Sequence, residues 1–256
     1  MKCRVHSIYR HPLKGLTPES LDTVELQSNS GIPNDRRFAI AITSAAKEKA
    51  STKWMPKSNF LTLQKYERLA QLKTRFYDET ETLCIFRENQ EITRGKITNR
   101  IGRSTLEEFF NAFMKKDTSS QPKLVEAIGG PTFSDYNKPV ISILNLESVK
   151  DLERVTREKI NPLRFRANIW LEGIKPWLEF EWVQKQIKVG DASLYVTDLI
   201  GRCAAINVNP NTGVRDHNIL KALHSGYNHT NLGIYTNVDT PGVIKVGDTL
   251  EPLAGL

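Results

Sequence analysis

T-D-L-I-G-R-C-A-A-I-N-V-N-P-N-T-G, residues 197–213, contains Cys203, one of three cysteines in a chain of 256 residues. A short β-like run, residues 203–208, follows the cysteine, and the turn residues Asn209, Pro210, Asn211, Thr212 and Gly213 end it. Gly201, two positions ahead of the cysteine, lets the backbone turn tightly. The guanidinium of Arg202 favours thiolate over thiol, and thiolate is the form that attacks electrophiles and binds metals. A thiol set between strand signals in this way is either a small buried filler or a working sulfur. For an isolated cysteine the filler is the commoner case, so the rest of the chain has to decide.

Composition narrows the choices. The chain is long enough for one large domain or two small ones, and its 39% hydrophobic and 25% charged residues are ordinary for a globular protein. No window approaches the roughly 18 apolar residues of a membrane helix, so no membrane partner is expected. The start, M-K-C-R-V-H-S-I-Y-R, has no apolar signal-peptide core, and a reducing cytoplasm is the expected compartment. Cys3, Cys84 and Cys203 are odd in number and widely spaced, which excludes a disulfide scaffold and gives no zinc-finger or iron–sulfur spacing. A net charge of +7, scattered rather than blocked, is read as a few arginines in an anion pocket more than as a polybasic tail. Neither a serine-hydrolase elbow, a zinc-peptidase helix, a Walker loop nor a dinucleotide fingerprint is present.

The spacing predicts a mainly β fold with peripheral helices. Residues 3–10, 21–27, 37–42, 69–76 and 80–87 are short strand-like runs separated by Pro, Gly and Asn, the pattern of a small barrel or sandwich. Leu106, Phe109, Phe110, Phe113 and Met114 then form one apolar helical stripe, with Ser104/Glu107 or Thr105/Glu108 as its capping box. The polar residues 117–123 and the breaker Gly129-Gly130-Pro131 place a boundary within 117–138. Beyond it come a strand at 139–144, a helix capped by Asn145, strands at 165–171, 186–199 and 203–208, a short helix near 219–224, and closing strands from Leu232. I-K-V-G-D occurs at 187–191 and again at 244–248, each time as a strand running into a Gly-Asp turn. Two β-rich domains are therefore expected, residues 1–130 and 131–256, each a small barrel with a cleft between them.

Three basic clusters are candidates for that cleft. Lys14, in R-H-P-L-K-G, is an anion clamp or a solvated turn lysine; the residues alone fit both. Asp35-Arg36-Arg37-Phe38 follows a turn and enters an apolar strand, so alternation puts one arginine toward the apolar side. That arginine meets an external anion or pairs with Asp35, because a buried guanidinium without a partner is costly. Arg164, Arg166 and Asn168 alternate with Phe165 and Ile169, which puts three polar groups on one strand face.

These segments, in this order, resemble the MOSC family, the molybdenum-cofactor sulfurase C-terminal domain proteins, preceded by that family's N-terminal β-barrel domain. Y-R-H-P-L-K-G is similar to Y-P-V-K-S, N-D-R-R-F-A-I to G-D-R-R-F/W, and F-L-T-L-Q-K to F-L-T-x-R-Q. P-L-R-F-R-A-N-I resembles N-F-R-P-N-I, and R-C-A-A-I-N-V-N-P-N-T-G resembles R-C-x-x-T-T-V-D-P-x-T-G. The segment 232–250 resembles the family's F-G-x-Y…P-G-x-I-K-V-G-D ending. The resemblance implies a pyranopterin molybdenum cofactor (Mo-molybdopterin) between the domains, with Cys203 as thiolate to the metal. It also implies that Lys14 and Arg37 hold the cofactor's phosphate, with further cofactor contacts from Arg36, Thr62, Asn145, Arg164, Arg166, Asn168, Arg202 and Tyr235.

The activity implied is reduction of small N-hydroxylated or N-oxide substrates. No cysteine cluster accompanies the chain, so electrons are expected from a separate reductase or ferredoxin-type protein. Two other roles stay open: a sulfur or cofactor carrier using Cys203, and a basic binding module. Nucleic acid is the less expected partner of that module. This chain departs from the family pattern at D-L-I-G-R-C, which lacks the first cysteine of P-C-x-R-C, and at I-N-V-N-P, Gly15 and Gln64.

Overall fold

Runs rich in β-branched and aromatic residues pack well on pleated surfaces, and Pro, Gly and Asn end them. In the computed structural model, which describes residues 2–128 and 132–253, these runs form fifteen strands accompanied by four α-helices. The first half contains β1 (Arg4–Arg10), β2 (Glu19–Leu21), β3 (Thr23–Leu26), β4 (Phe38–Ala41), α1 (Ser44–Lys49), β5 (Lys73–Tyr77), β6 (Thr82–Arg87), β7 (Gln90–Lys96), α2 (Arg100–Met114) and β8 (Lys123–Glu126). The second half contains β9 (Ile141–Asn145), α3 (Leu146–Thr156), β10 (Ile169–Glu172), β11 (Gln186–Val189), β12 (Ala192–Gly201), α4 (Ile219–Tyr227), β13 (Asn231–Thr240), β14 (Gly242–Lys245) and β15 (Leu250–Pro252). The fold is mainly β. The Gly129-Gly130-Pro131 break lies outside the described residues.

Eight strands form one curled half-barrel in the order β15-β11-β12-β13-β9-β10-β1-β2. Within it β9 and β10 form a parallel pair, flanked by antiparallel neighbours. All five residues of β9 and three of the four in β10 are buried, as expected where both faces of a sheet are covered. One face packs a core of Val5, Ile8, Ile143, Ile169, Leu194 and Ile234; the other is covered by α3 and α4 through Leu152, Trp170 and Leu223. Register shifts between 193/194, 196/198 and 199/201 add curl to β12 just before Cys203.

The N-terminal strands belong physically to this sheet. β1 pairs with β10 and β2, and β3 pairs with β14. Residues 4–26 are thus built into the second half, while a separate core of Leu13, Phe38, Leu61, Leu83, Phe110 and Leu124 holds the remainder of the first half. That remainder comprises a three-stranded sheet β5–β6–β7, the pair β4–β8, and α2 packed across β7 and β8.

Helix α2 begins one turn earlier than the Ser104 or Thr105 capping box predicts. Its N-cap is Asn99, whose side-chain oxygen accepts from the Gly102 N–H at 2.7 Å. The extra turn exists because the helix backbone touches β7. A Cβ on Gly102 would lie 2.2 Å from the Lys96 carbonyl oxygen, and one on Gly95 would lie 2.2 Å from that of Gly102. Neither neighbour is a flexible side chain that can move aside. Gly102→Ala is therefore expected to lower stability by about 1–3 kcal/mol, read as a shift of the urea midpoint.

Of two predicted strands, 165–171 is shortened to its second part and 203–208 is replaced by a single turn of 3-10 helix. Residues 165–168 do not extend: Asn161 caps a 3-10 turn at Pro162–Phe165, Arg166 then sits at φ 53°, and β10 starts only at Ile169. Residues 203–208 likewise hold a 3-10 turn, Ala204–Asn207, entered from an extended Cys203. Tertiary bonds override local β preference there, because the Arg215 and Arg164 guanidiniums donate to the carbonyls of Ala204 and Asn207 at 2.9 and 3.1 Å.

Candidate active site

A cavity of about 340 Å³ opens where the half-barrel meets the N-terminal core. One wall carries Lys14, Arg36, Lys57 and Thr62; the other carries Arg164, Arg166, Asn168, Arg202, Cys203 and Tyr235. Six cationic side chains thus line it, against one carboxylate, Asp135, among the described residues. The volume lies within the range of small-molecule sites.

Two of the six cations are held in the left-handed region, Arg36 at φ 51° and Arg166 at φ 53°. Such backbone costs on the order of 1 kcal/mol each for a side chain other than glycine and persists where the surroundings fix it. Arg36 is fixed by its N–H to the His11 carbonyl, by an ion pair to Asp35, and by a guanidinium donation to the Arg166 carbonyl at 2.9 Å. Asp35 in turn accepts from the His11 N–H at 2.7 Å. His11 is buried and neutral: desolvation, then the charges of Arg166 and Arg36, push it down to about 3.

Arg166 and Arg202 have no carboxylate partner among the described residues. Arg166 donates to the Leu16 carbonyl at 2.6 Å, and burial followed by the charge of Arg36 pushes it down to about 9. Arg202 donates to the carbonyls of Leu232 and Phe165 at 2.7 and 2.8 Å, and burial lowers it to about 10. Its seat requires Gly233, at φ 82°, where a Cβ would come within 2.4 Å of the Ile143 oxygen and 3.1 Å of the Arg202 guanidinium. A buried guanidinium compensated only by carbonyls keeps a charge that a negative group can still pair with.

Cys203 is half-buried, whereas Cys3 and Cys84 are buried in cores. Desolvation, then the charge of Glu179, pushes Cys3 up to about 12, so it remains a thiol. Lys57, a residue the sequence did not single out, lines the cavity together with Cys203. Burial works against the charge of Lys57, but Asp135 and Cys203 raise it overall. Arg202, expected to be the thiol's tuning partner, donates its hydrogen bonds to carbonyls, while Cys203 still acts on its charge. Gly201 ends β12 without a positive φ, and a Cβ there would meet only ordinary contacts, so the tight turn expected at this glycine is not made.

The predicted residues divide by geometry. Lys14, Arg36, Thr62, Arg164, Arg166, Asn168, Arg202, Cys203 and Tyr235 border the cavity; Arg37 and Asn145 do not. Arg37 turns away to Glu126 and Glu81, at 2.6 and 3.0 Å, because the left-handed Arg36 breaks the strand alternation assumed for the pair. Asn145 is the N-cap of α3 and donates to the buried Glu179 carboxylate at 2.8 Å, so its amide is occupied elsewhere. Arg164 is only partly available, since it pairs with Asp216 at 2.6 Å, although its Nε is buried without a partner. Asn168 accepts from Ser142 and donates to the Tyr9 carbonyl, tying β9 to β1 beneath the cavity. Tyr235 packs on Tyr136 with ring centroids 5.3 Å apart, and burial raises its phenol. Arg215 bridges the rim, donating to Ala204 beside the cysteine and to the Gln64 carbonyl at 2.8 Å on the opposite wall.

No group of three or more His, Cys, Asp or Glu side chains that could hold a metal occurs among the described residues. A metal here would take one protein thiolate and its remaining ligands from elsewhere. That donor set fits a thiophilic metal carried by a phosphorylated organic cofactor.

Two family models span the chain: the MOSC N-terminal beta barrel domain at residues 2–122 and the MOSC domain at residues 131–251. The chain belongs to the MOSC family. The human protein named mitochondrial amidoxime-reducing component 1 is 28% identical over 118 residues, a match covering 41% of this chain and 34% of that protein. Molybdenum cofactor sulfurase from Arabidopsis thaliana is 28% identical over 130 residues, covering 46% of this chain and 16% of the plant protein. The match thus spans about a third or less of these relatives' lengths. Among solved structures, the YuaD protein from Bacillus subtilis aligns at TM-score 0.47 and 15% identity, covering 100% of this MOSC chain and 98% of that one. No helix among the described residues is long and apolar enough to cross a membrane.

Proposed function

We propose that the cavity holds a pyranopterin molybdenum cofactor and that the protein is an oxidoreductase acting on small N-hydroxylated or N-oxide substrates. The observation that carries this reading is the meeting of Cys203 with two buried guanidiniums, Arg166 and Arg202, that have no carboxylate partner among the described residues. Lys14, Arg36 and Arg166 would receive the cofactor's phosphate, Cys203 would ligate the metal, and Tyr235 with Tyr136 would flank the site. When bound, the group supplies two-electron redox chemistry and an acceptor for the substrate oxygen.

The chain's own residues keep the reaction local. Arg215 and the Tyr136–Asp198 hydrogen bond, at 2.7 Å, brace the two sides of the cavity, and Lys57 holds an ammonium beside the sulfur. Electrons would come from a separate reductase or ferredoxin-type protein. Family membership and the amidoxime-reducing relative support the reading without extending that protein's activity to this chain.

Cofactor-loaded protein supplied with a chemical reductant is expected to convert an amidoxime to the amidine. If it does not, and alkylation traps a persulfide on Cys203, the carrier role replaces the oxidoreductase reading. Salt-sensitive nucleic-acid binding that survives both Cys203→Ala and Arg166→Ala would point to the binding module.

A further inference from the structure

Lys14 is the most deeply seated ammonium in the cavity, 8% exposed, and its anionic partner among the described residues is Asp135. The carboxylate oxygens of Asp135 lie 2.5 Å from Lys14 and 3.8 Å from Lys57, and the charges of Arg36 and Arg166 also act on this group. It therefore stands where four cations converge. It is carried by an irregular segment, not by a strand or helix. The flanks of that segment are pinned. The Phe133 N–H donates to the Arg36 carbonyl, the Phe133 ring packs edge-on to Phe60 at 5.2 Å, and the Tyr136 hydroxyl donates to Asp198. Asp135 itself is different, with 46% of its side chain exposed. Turning it out of the cavity needs side-chain rotation, with the neighbouring anchors left in place.

We propose that Asp135 is a resident counter-anion, occupying on Lys14 the position that an incoming phosphate group takes, so that the two anions exclude each other. The proposal rests on the reading of the cavity as an anion site and adds how that site is held when no ligand is present. A buried ammonium without a partner is costly, and Asp135 removes that cost in the ligand-free protein. The same carboxylate beside an arriving phosphate is a like charge, and binding has to move it or overcome it. Asp135 thus trades phosphate affinity for stability of the empty site, and it sets how negative a ligand the cavity accepts.

Replacing Asp135 by asparagine keeps size and shape and removes the charge. Two effects of opposite sign are expected in the full-length, cofactor-free chain. Thermal stability without ligand falls, and affinity for inorganic phosphate, measured by titration calorimetry at fixed ionic strength, rises by about tenfold or more. Saturating phosphate restores the lost stability of the variant. Asp135→Ser serves as a second variant if the asparagine form does not fold. Phosphate binding that Lys14→Met abolishes, but that Asp135→Asn leaves unchanged or weakens, overturns the counter-anion role and keeps the anion site. Phosphate binding absent from wild type and both Asp135 variants overturns the anion site and this proposal together.

Discussion

Cys203→Ala is expected to purify as a folded protein without metal. The side chain of Cys203 makes no hydrogen bond on which the fold depends; its backbone carbonyl, which alanine retains, accepts from the Ile206 N–H at 3.2 Å. It lies half-buried at the cavity wall rather than in a core, so the change in stability should be within about 1 kcal/mol. The metal is another matter, because the described residues offer no His, Cys, Asp or Glu cluster to substitute for the lost thiolate. Metal content should fall to background while the unfolding midpoint stays near that of wild type. A variant that keeps its metal would remove Cys203 from the ligand set.

Arg166→Met is the complementary change, acting on the proposed phosphate contact rather than on the proposed metal ligand. Arg166 is buried beside Arg36, its guanidinium has one hydrogen bond among the described residues, to the Leu16 carbonyl, and desolvation together with that neighbouring charge disfavours the ion. Replacing such a group by an apolar one of similar length is often neutral or stabilising in the absence of ligand. A charge-assisted bond to phosphate, by contrast, contributes roughly 1.5–3 kcal/mol, so affinity for a phosphorylated ligand should fall about 10- to 100-fold. The expected signature is a ligand-free midpoint that is unchanged or raised, with binding reduced. Parallel loss of stability and binding would make Arg166 a structural residue instead.

Most strands, helix α3 with its Asn145 cap, and the apolar stripe of α2 are legible in the sequence because they follow local periodicity. The segments that line the cavity are not. Residues 162–168 alternate like a strand, yet the Asn161 cap and the left-handed Arg166 turn them into a 3-10 corner that sends its three polar side chains to different partners. The same effect puts Arg36 and not Arg37 in the cavity: alternation shows that one of them faces inward, but only the positive φ of Arg36 decides which. Lys57 and Asp135 carry no local signal at all. Each is a single charged residue in an irregular stretch, brought to Cys203 and Lys14 by contacts 146 and 121 positions apart in the chain (203 − 57; 135 − 14). Asn145 shows the reverse case, since the resemblance implies a cofactor contact there while its amide is engaged with Glu179.

The proposed function requires that this MOSC chain carry a molybdenum cofactor on Cys203. Elemental analysis combined with pterin fluorescence, on protein purified from a host able to make the cofactor, tests it most directly. About one molybdenum atom per chain is expected, with the pterin emission present. Protein from that host containing neither molybdenum nor pterin would contradict it.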